Sequence, residues 1–247
     1  MTQRASFLIC GTQKGGTTAL ADYLRLHPDL WVPQQKELHF FDDERQNWER
    51  PSYRKYHGAF RDAKIGTTWG EATPIYMYWE PCAERIWRYN SAMRLIIILR
   101  NPITRSFSHW AMERQRGAEK LDFETALLLE EERCHDSLPH QHRVYSYIDR
   151  GYYTQQLRRL WRFFGREAVL ILRQEELREQ PQSCLDRICI HLGVAPLLGV
   201  QALERHLGSY EQKMGSGAHS LLRQLFWHEI CQLEALLGWD CRDWLMP

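Results

Sequence analysis

The sequence has few of the features that mark a secreted, membrane-spanning or disulfide-bonded protein. Its seven cysteines are scattered and include no C-x-x-C pair, which argues against a disulfide framework or a zinc site and favours reduced thiols. No apolar run approaches the roughly 18 residues that span a membrane. The short N-terminal run FLIC lacks a signal-peptide cleavage pattern. We therefore expect a cytoplasmic protein without a membrane span.

Net charge is also nearly absent. The 247 residues carry 32 Lys and Arg against 31 Asp and Glu, a formal charge of +1, so no overall field attracts nucleic acid. Any anion site must be local, and we predict no nucleic-acid partner. The length suits an α/β domain with a substantial core. No repeat or linker divides the chain, so we predict one domain over residues 1–247.

Apolar runs alternate with helical patterns along the chain. The segments SFLIC, RLIIIL and AVLILR are short and continuously apolar, as in strands buried on both faces of a parallel sheet. After RLIIIL, Asn101 is a candidate N-cap and Pro102 a first helical residue, and Gly238 predicts the end of the last helix. The alternation predicts an α/β fold, a single-domain three-layer sandwich with a mainly parallel central sheet.

The glycine-rich segment GTQKGGTTAL follows the first predicted strand. Gly11 and Gly16 have the spacing of a Walker loop, but Lys14 lies between them instead of after the second glycine. Glycines let backbone N–H groups turn toward an anion, and the helix beginning near Thr17 adds the positive end of its dipole. An early lysine can lie beside the bridging oxygen of a leaving group and stabilise its developing charge. An ordinary glycine-rich turn is the alternative interpretation.

The same segment resembles the 5′-phosphosulfate loop of sulfotransferases that use 3′-phosphoadenosine 5′-phosphosulfate (PAPS), in particular the heparan sulfate branch and its bacterial relatives. Its K-x-G-T form matches Lys14, Gly16 and Thr17. The resemblance implies a P-loop-like phosphosulfate-binding loop, with Lys14 as a catalytic residue at the sulfuryl bridge and both threonines at the 5′-phosphate. The donor-binding residues that it implies in this loop are Lys14, Gly15, Gly16, Thr17 and Thr18.

A second motif, LRNPITRSFSHW, concerns the 3′-phosphate that PAPS carries and ATP lacks. Arg100 lies at the carboxyl end of a predicted strand, the usual ligand edge of an open α/β sheet, and Ser108 follows about two turns into the next helix. Their R-x₇-S spacing is similar to the family's 3′-phosphate motif. The resemblance implies that Arg100 and Ser108 bind this phosphate through charge-assisted hydrogen bonds. Taken alone, such an arginine is usually a solvated strand end.

The segment KELHFFD, residues 36–42, combines acidic, imidazole and aromatic side chains. The pattern alone also fits a strand edge with Phe40 and Phe41 in the core. The family's glycan branch has a similar E-x-H-F-F-D segment, which implies that Glu37 is the general base near the acceptor oxygen. His39 is the alternative catalytic base, since imidazole titrates near neutral pH, and Asp42 is implied to lie on the acceptor side.

Two segments depart from the family's pattern. Glu71 matches an acceptor-side glutamate in its G-E-K-[ST]-P stretch, but Ala72 stands where the glycan enzymes often have lysine. A basic K-G-R-x-H-P loop over the nucleotide is replaced by GSGAHS, residues 215–220, with Lys213 or Arg223 as candidates to compensate. The charge missing at Ala72 disfavours a highly sulfated polysaccharide as acceptor.

We therefore predict a PAPS-dependent sulfotransferase. In-line transfer would place the sulfuryl group on a hydroxyl, or less favourably an amine, of a carbohydrate or small-molecule natural product. We predict no metal, because His135, His140 and His142 match none of the usual zinc spacings. The alternatives are an ATP-dependent P-loop small-molecule kinase, which would need Mg²⁺, and a catalytically inactive nucleotide-binding module.

Overall fold

The computed structural model of the protein describes residues 3–200 and 213–246. These residues form two compact units, built from the described parts of Met1–Leu99 with Arg159–His206 and of Arg100–Arg158 with Leu207–Pro247. The first unit contains the sheet and the glycine-rich loop. One domain over residues 1–247 stays a prediction.

The sheet of the first unit has five strands among the described residues, and every pair of neighbours is parallel. The strands are β1 (Phe7–Gly11), β2 (Leu30–Trp31), β3 (Thr68–Ala72), β4 (Arg94–Leu99) and β5 (Val169–Arg173). Their order in space is β2-β3-β1-β4-β5. All five residues of β1 are buried, because helices and loops cover both faces of a central parallel strand.

Helices separate most of the strands along the chain. In the described part, ten α-helices occur: α1 (Thr17–Arg25), α2 (Arg54–Gly58), α3 (Cys82–Tyr89), α4 (Pro102–Gln115), α5 (Phe123–Leu128), α6 (Glu130–His135), α7 (Tyr153–Trp161), α8 (Gln174–Glu179), α9 (Pro181–Leu192) and α10 (Ser216–Leu237).

The core of the first unit lies between the sheet and helices α1, α8 and α9. Phe7 and Ile9 on one face of β1 pack with Leu24 of α1 and Ile188 of α9. Cys10, which points to the opposite face, is also fully buried. The apolar runs of β1 and β4 form strands because packing on both faces of the sheet removes their side chains from water. The third run, β5, is an edge strand in which Leu170 and Ile171 are only partly buried. The predicted α/β fold with a parallel sheet is confirmed.

Helix ends follow the predicted signals in the second unit. The Asn101 side chain accepts a hydrogen bond from the Ile103 N–H at 2.9 Å, and Pro102 is the first residue of α4. Gly238 ends α10 in the left-handed conformation, with φ 69°. Helices α5 and α6 are separate, because Leu129 between them has ψ −1° and interrupts the helix.

Candidate active site

The glycine-rich loop joins β1 to α1 at the carboxyl end of the sheet. The Thr12 N–H donates to the Ile98 carbonyl at 3.0 Å, and the Gly15 N–H donates to the Thr12 carbonyl at 2.9 Å. A Cβ on Gly15 would lie 2.5 Å from the Ile98 carbonyl oxygen, and Gly16 has φ 100°. Both positions therefore require glycine, and the loop is a tight turn pressed against the end of β4.

Two predicted catalytic residues have unusual backbones. Within residues 3–200 and 213–246, the non-glycine residues with positive φ are Lys14, at 70°, and His39, at 50°. Such conformations are sparsely populated, cost about 1 to 3 kcal/mol and cluster at functional sites. The structure thus singles out the glycine-rich loop and the KELHFFD segment on grounds independent of sequence resemblance.

The start of α1 presents donors suited to an anion. Gly16 is its N-cap without a side-chain hydrogen bond, and its first turn has no acidic residue. Thr17 is 4% exposed and Thr18 is exposed. The Lys36 Nζ donates to the Thr18 Oγ1 at 2.9 Å and to the Thr17 Oγ1 at 3.2 Å. Backbone N–H groups, two hydroxyls and a cation form a donor set that fits the 5′-phosphosulfate part of PAPS.

The KELHFFD segment places His39 between two carboxylates. Its Nδ1 lies 3.0 Å from the Asp42 Oδ2, and its Nε2 lies 3.2 Å from the Glu37 Oε2. The Asp42 side chain is fully buried, whereas the Glu37 side chain is 26% exposed. His39 therefore connects a buried carboxylate to one that solvent can reach.

Glu37, His39 and Asp42 form a triad, and the two carboxylates decide the charge of the imidazole. Hydrogen bonds to Asp42 and then to Glu37 raise the pKa of His39 to about 9, although burial opposes the rise. At neutral pH the ring is therefore an imidazolium with a proton on each nitrogen. In this state His39 donates to both carboxylates and holds no lone pair with which to accept a proton.

Hydrogen bonds anchor the segment to the region after β3. The Leu38 N–H donates to the Thr73 Oγ1 at 3.1 Å, and the Thr73 hydroxyl donates to the Glu71 Oε2 at 2.7 Å. The Phe40 N–H donates to the Tyr76 hydroxyl at 3.0 Å. Residues 36–42 do not form a strand edge, although Phe40 and Phe41 lie in the core as that alternative proposed.

Glu71 is buried beneath this segment. It is 1% exposed, and burial raises its pKa to about 7, although hydrogen bonds from Thr73 and Tyr76 oppose the rise. The nearby charges of Glu37 and Asp42 add to the rise. Contact through Thr73 makes Glu71 a supporting residue of the KELHFFD segment here, and acceptor binding by Glu71 or Asp42 stays a prediction.

Arg100 and Ser108 belong to the second unit. The Arg100 Nε donates to the Thr104 Oγ1 at 3.0 Å, and its carbonyl accepts from the Tyr153 hydroxyl at 2.8 Å. Ser108 is fully buried in α4. Thr104 and Ser108 are four residues apart and share one helix face, so Thr104 joins the predicted pair as a candidate. Their binding of a 3′-phosphate stays a prediction.

The late loop without basic residues forms the start of α10. A Cβ on Gly215 or Gly217 would lie 3.1 Å from the Glu124 Oε1. Lys213 and Arg223 are both exposed. Compensation by either residue stays a prediction.

The histidine-rich loop is used structurally. The His142 Nδ1 accepts from the Val144 and Tyr145 N–H groups at 3.0 and 2.9 Å, so this ring nitrogen caps a turn. In the described parts of the chain, no cluster of three or more His, Cys, Asp or Glu side chains has an arrangement suited to a metal ion.

Sequence reasoning missed Lys36, Thr73 and Tyr76. Lys36 could have been noticed from its position directly before Glu37. The sequence does not show, however, that its ammonium contacts Thr17, which lies 19 residues earlier in the chain. Thr73 and Tyr76 look like ordinary residues of the stretch after Glu71. Their roles follow from which hydroxyl faces which backbone N–H, and that depends on packing.

Comparisons with known proteins agree with this geometry. A family model described as a sulfotransferase domain matches residues 4–213. The mouse heparan sulfate glucosamine 3-O-sulfotransferase 5 is 30% identical over 191 residues, which cover 76% of this chain and 53% of that protein. The crystal structure of a sulfotransferase from Alicyclobacillus acidocaldarius superposes with a TM-score of 0.83 at 28% identity, covering 99% of this chain and 100% of the other.

A mouse sulfotransferase crystallised with PAP, the desulfated product of PAPS, shares the fold at a TM-score of 0.51 and 15% identity, covering 90% of this chain and 64% of that one. The superposition with the Alicyclobacillus acidocaldarius structure shows that the chain has a sulfotransferase fold. The chain belongs to the sulfotransferase domain family, and the predicted membership of the PAPS-dependent sulfotransferases is confirmed.

The chain spans about half the length of the curated relatives it matches. Among the described residues, no helix has the length and apolar character needed to cross a membrane.

Proposed function

We propose that this protein transfers a sulfuryl group from PAPS to a hydroxyl of a carbohydrate or small natural-product acceptor. The observation that carries the proposal is the pairing of two backbone outliers, Lys14 in a tight glycine loop and His39 between two carboxylates. The first provides an anion site and the second orients the carboxylate of Glu37 as a base, and together they would form the two halves of a group-transfer site.

On the donor side, bound PAPS would supply the activated sulfuryl group and a phosphate leaving group. The loop N–H groups and the hydroxyls of Thr17 and Thr18 would hold the 5′-phosphate. The Lys14 ammonium would stabilise negative charge at the bridging oxygen, an electrostatic contribution made where charge develops. Arg100 and Ser108 would hold the 3′-phosphate and thereby distinguish PAPS from ATP.

On the acceptor side, Glu37 is the favoured base. Its carboxylate is partly exposed, whereas Asp42 is fully buried and His39 is already protonated at neutral pH. Glu37 would accept the proton of the acceptor hydroxyl as the sulfuryl group transfers. The imidazolium of His39, itself held by Asp42, would orient Glu37. A hydroxyl suits this arrangement better than an ammonium, which must first lose a proton.

The acceptor class rests on relatives named for 3-O-sulfation of heparan sulfate glucosamine. This chain has Ala72 where those enzymes often have lysine. Fewer cations favour a sugar or alcohol with little negative charge over a highly sulfated polymer. We also propose a cytoplasmic location, because the scattered cysteines favour reduced thiols.

Donor binding tests the proposal directly. Thermal unfolding is followed with PAP, with ADP, and with ADP plus Mg²⁺. A ligand at about 100 times its dissociation constant adds roughly 2.7 kcal/mol of stability, so PAP should raise the melting temperature and ADP should do much less. A preference for ADP plus Mg²⁺ would instead support the P-loop kinase. No response to any nucleotide would contradict both.

Transfer is tested with radiolabelled PAPS and a panel of neutral glycans, alcohols and heparan-type glycans. Glu37→Gln keeps the size of the side chain but cannot accept a proton at neutral pH. We expect a roughly 10²- to 10⁴-fold loss of kcat with unchanged PAP affinity. If Glu37→Gln stays active while His39→Ala is inactive, the base is His39. A protein that binds PAP but transfers to no acceptor would point to the inactive binding module.

A further inference from the structure

Lys36 is a buried cation that the proposed chemistry has not used. It follows α1 and β2 in the chain, and its side chain is only 15% exposed. The Nζ reaches back to the first turn of α1, where the Thr18 and Thr17 Oγ1 atoms lie 2.9 and 3.2 Å away. These are the two hydroxyls predicted to hold the 5′-phosphate.

The Lys36 ammonium has the Glu37 carboxylate within salt-bridge range, but its shortest contacts end on the two threonine hydroxyls. Both hydroxyls are neutral, and the Glu37 Oε1 lies 3.7 Å from the Nζ, beyond hydrogen-bond distance. Burial lowers the pKa of Lys36, although the negative charge of Glu37 opposes the fall. A mostly buried ammonium is costly unless an anion compensates it. The environment thus suits a negatively charged ligand at the start of α1.

We propose that Lys36 is a second cation of the donor site, binding the 5′-phosphosulfate together with Thr17 and Thr18. This inference rests on the proposed function. Lys14 approaches the anion from within the glycine-rich loop, whereas Lys36 approaches from the segment that carries the acceptor base. An anion at the start of α1 would give the Lys36 ammonium an oppositely charged acceptor, whereas the two threonine hydroxyls are neutral acceptors.

The position of Lys36 in the chain gives this contact a second consequence. Glu37 is the next residue, so an anion that fixes the Lys36 side chain also restricts the backbone from which the proposed base projects. Donor binding and placement of Glu37 are therefore connected by one peptide. We expect changes at Lys36 to affect kcat as well as donor affinity.

The test compares two nucleotides that differ only in the 5′-phosphate. Calorimetric titration measures the affinity of PAP and of adenosine 3′-monophosphate for the wild type, Lys36→Met and Lys36→Gln. We expect both variants to lose about 10- to 100-fold in PAP affinity, since a hydrogen bond to a charged group contributes about 1.5 to 3 kcal/mol. Affinity for adenosine 3′-monophosphate should change less than about twofold.

Lys64→Met is the matched control because Lys64 is exposed, and it should bind both nucleotides as the wild type does. Unchanged PAP affinity in the Lys36 variants, or an equal loss toward both nucleotides, would overturn the assignment. If the wild type itself bound neither nucleotide, the proposed function would fail instead, so the two failures are distinguishable. Circular dichroism should show both Lys36 variants folded, because neither leaves a buried charge unpaired.

Discussion

Replacing Glu71 with glutamine isolates the effect of one buried carboxylate on stability. The glutamine carbonyl can still accept the hydrogen bond of the Thr73 hydroxyl, which now ends on the Glu71 Oε2 at 2.7 Å. Size and shape are kept, so the variant removes ionisation and little else. The free energy of unfolding should therefore differ from that of the wild type in a pH-dependent way.

The size of this stability difference follows from the shifted pKa of Glu71. Burial raises the pKa of Glu71 from 4.5 to about 7, and each pKa unit corresponds to about 1.36 kcal/mol. Above pH 7 the charged form should therefore destabilise the folded protein by roughly 3 kcal/mol relative to a carboxylate with the ordinary value. Glu71 is 1% exposed, so solvent does little to screen this effect.

The direction in which stability changes with pH is set by proton binding to Glu71. Between pH 4.5 and pH 7 the folded state holds a proton on Glu71 that the unfolded state has released. Wild-type stability should therefore fall as pH rises through this window and level off above it. Glu71→Gln does not titrate, so its advantage over the wild type should grow between pH 5 and pH 8 by about 2 to 3 kcal/mol.

The assay is urea unfolding of both proteins at four pH values from 5 to 8, followed by circular dichroism. Other buried groups, such as Glu130, cancel in the difference between the two proteins. Glu131→Gln, which removes an exposed carboxylate, is the control and should follow the wild-type pH dependence. Parallel stability curves for Glu71→Gln and the wild type would refute the reasoning, since Glu71 would then ionise alike in both states.

Three further predictions concern the proposed donor site and the triad. Arg100→Ala should weaken PAP binding by about 1.5 to 3 kcal/mol in calorimetry but leave binding of a nucleotide without the 3′-phosphate unchanged; equal weakening would reject the assignment. Gly15→Ala should reduce PAP affinity at least about tenfold, because the new Cβ would lie 2.5 Å from a carbonyl oxygen. Gly58→Ala should leave PAP affinity unchanged, because its Cβ would meet nothing within 4 Å. His39→Gln should be less stable than the wild type by no more than about 1 kcal/mol, since the His39 side chain is 48% exposed. This loss of stability should be complete below pH 6.5 and should disappear as pH rises through about 9. A loss that persists at pH 10 would argue against a charged imidazole.

Much of the fold was predictable because its signals are local. A strand buried on both faces needs a continuous apolar run, and β1 and β4 have one. Helix ends depend on single residues, as at Asn101 and Gly238. In contrast, β2 has only two residues. It is a strand because it pairs with β3, and its own sequence gives no sign of this.

The candidate site divides in the same way. Gly16 is required by its own φ, and the spacing of Lys14 within the loop is visible in the chain, so the anion-binding loop was predictable. The sequence also placed Glu37, His39 and Asp42 within a few residues of each other. It did not decide which of them is charged, because that depends on which carboxylates the imidazole contacts and how much water remains.

What the sequence by itself determined is the class of fold, the anion-binding loop and the set of candidate acids and bases, since each depends on neighbouring residues. Tertiary structure alone decided that Lys36 reaches Thr17 and Thr18, that Thr73 connects Leu38 to Glu71, and that His39 is protonated. These contacts join residues from separate segments. Their energies depend on distance and on exclusion of water, and both are set only when those segments pack together.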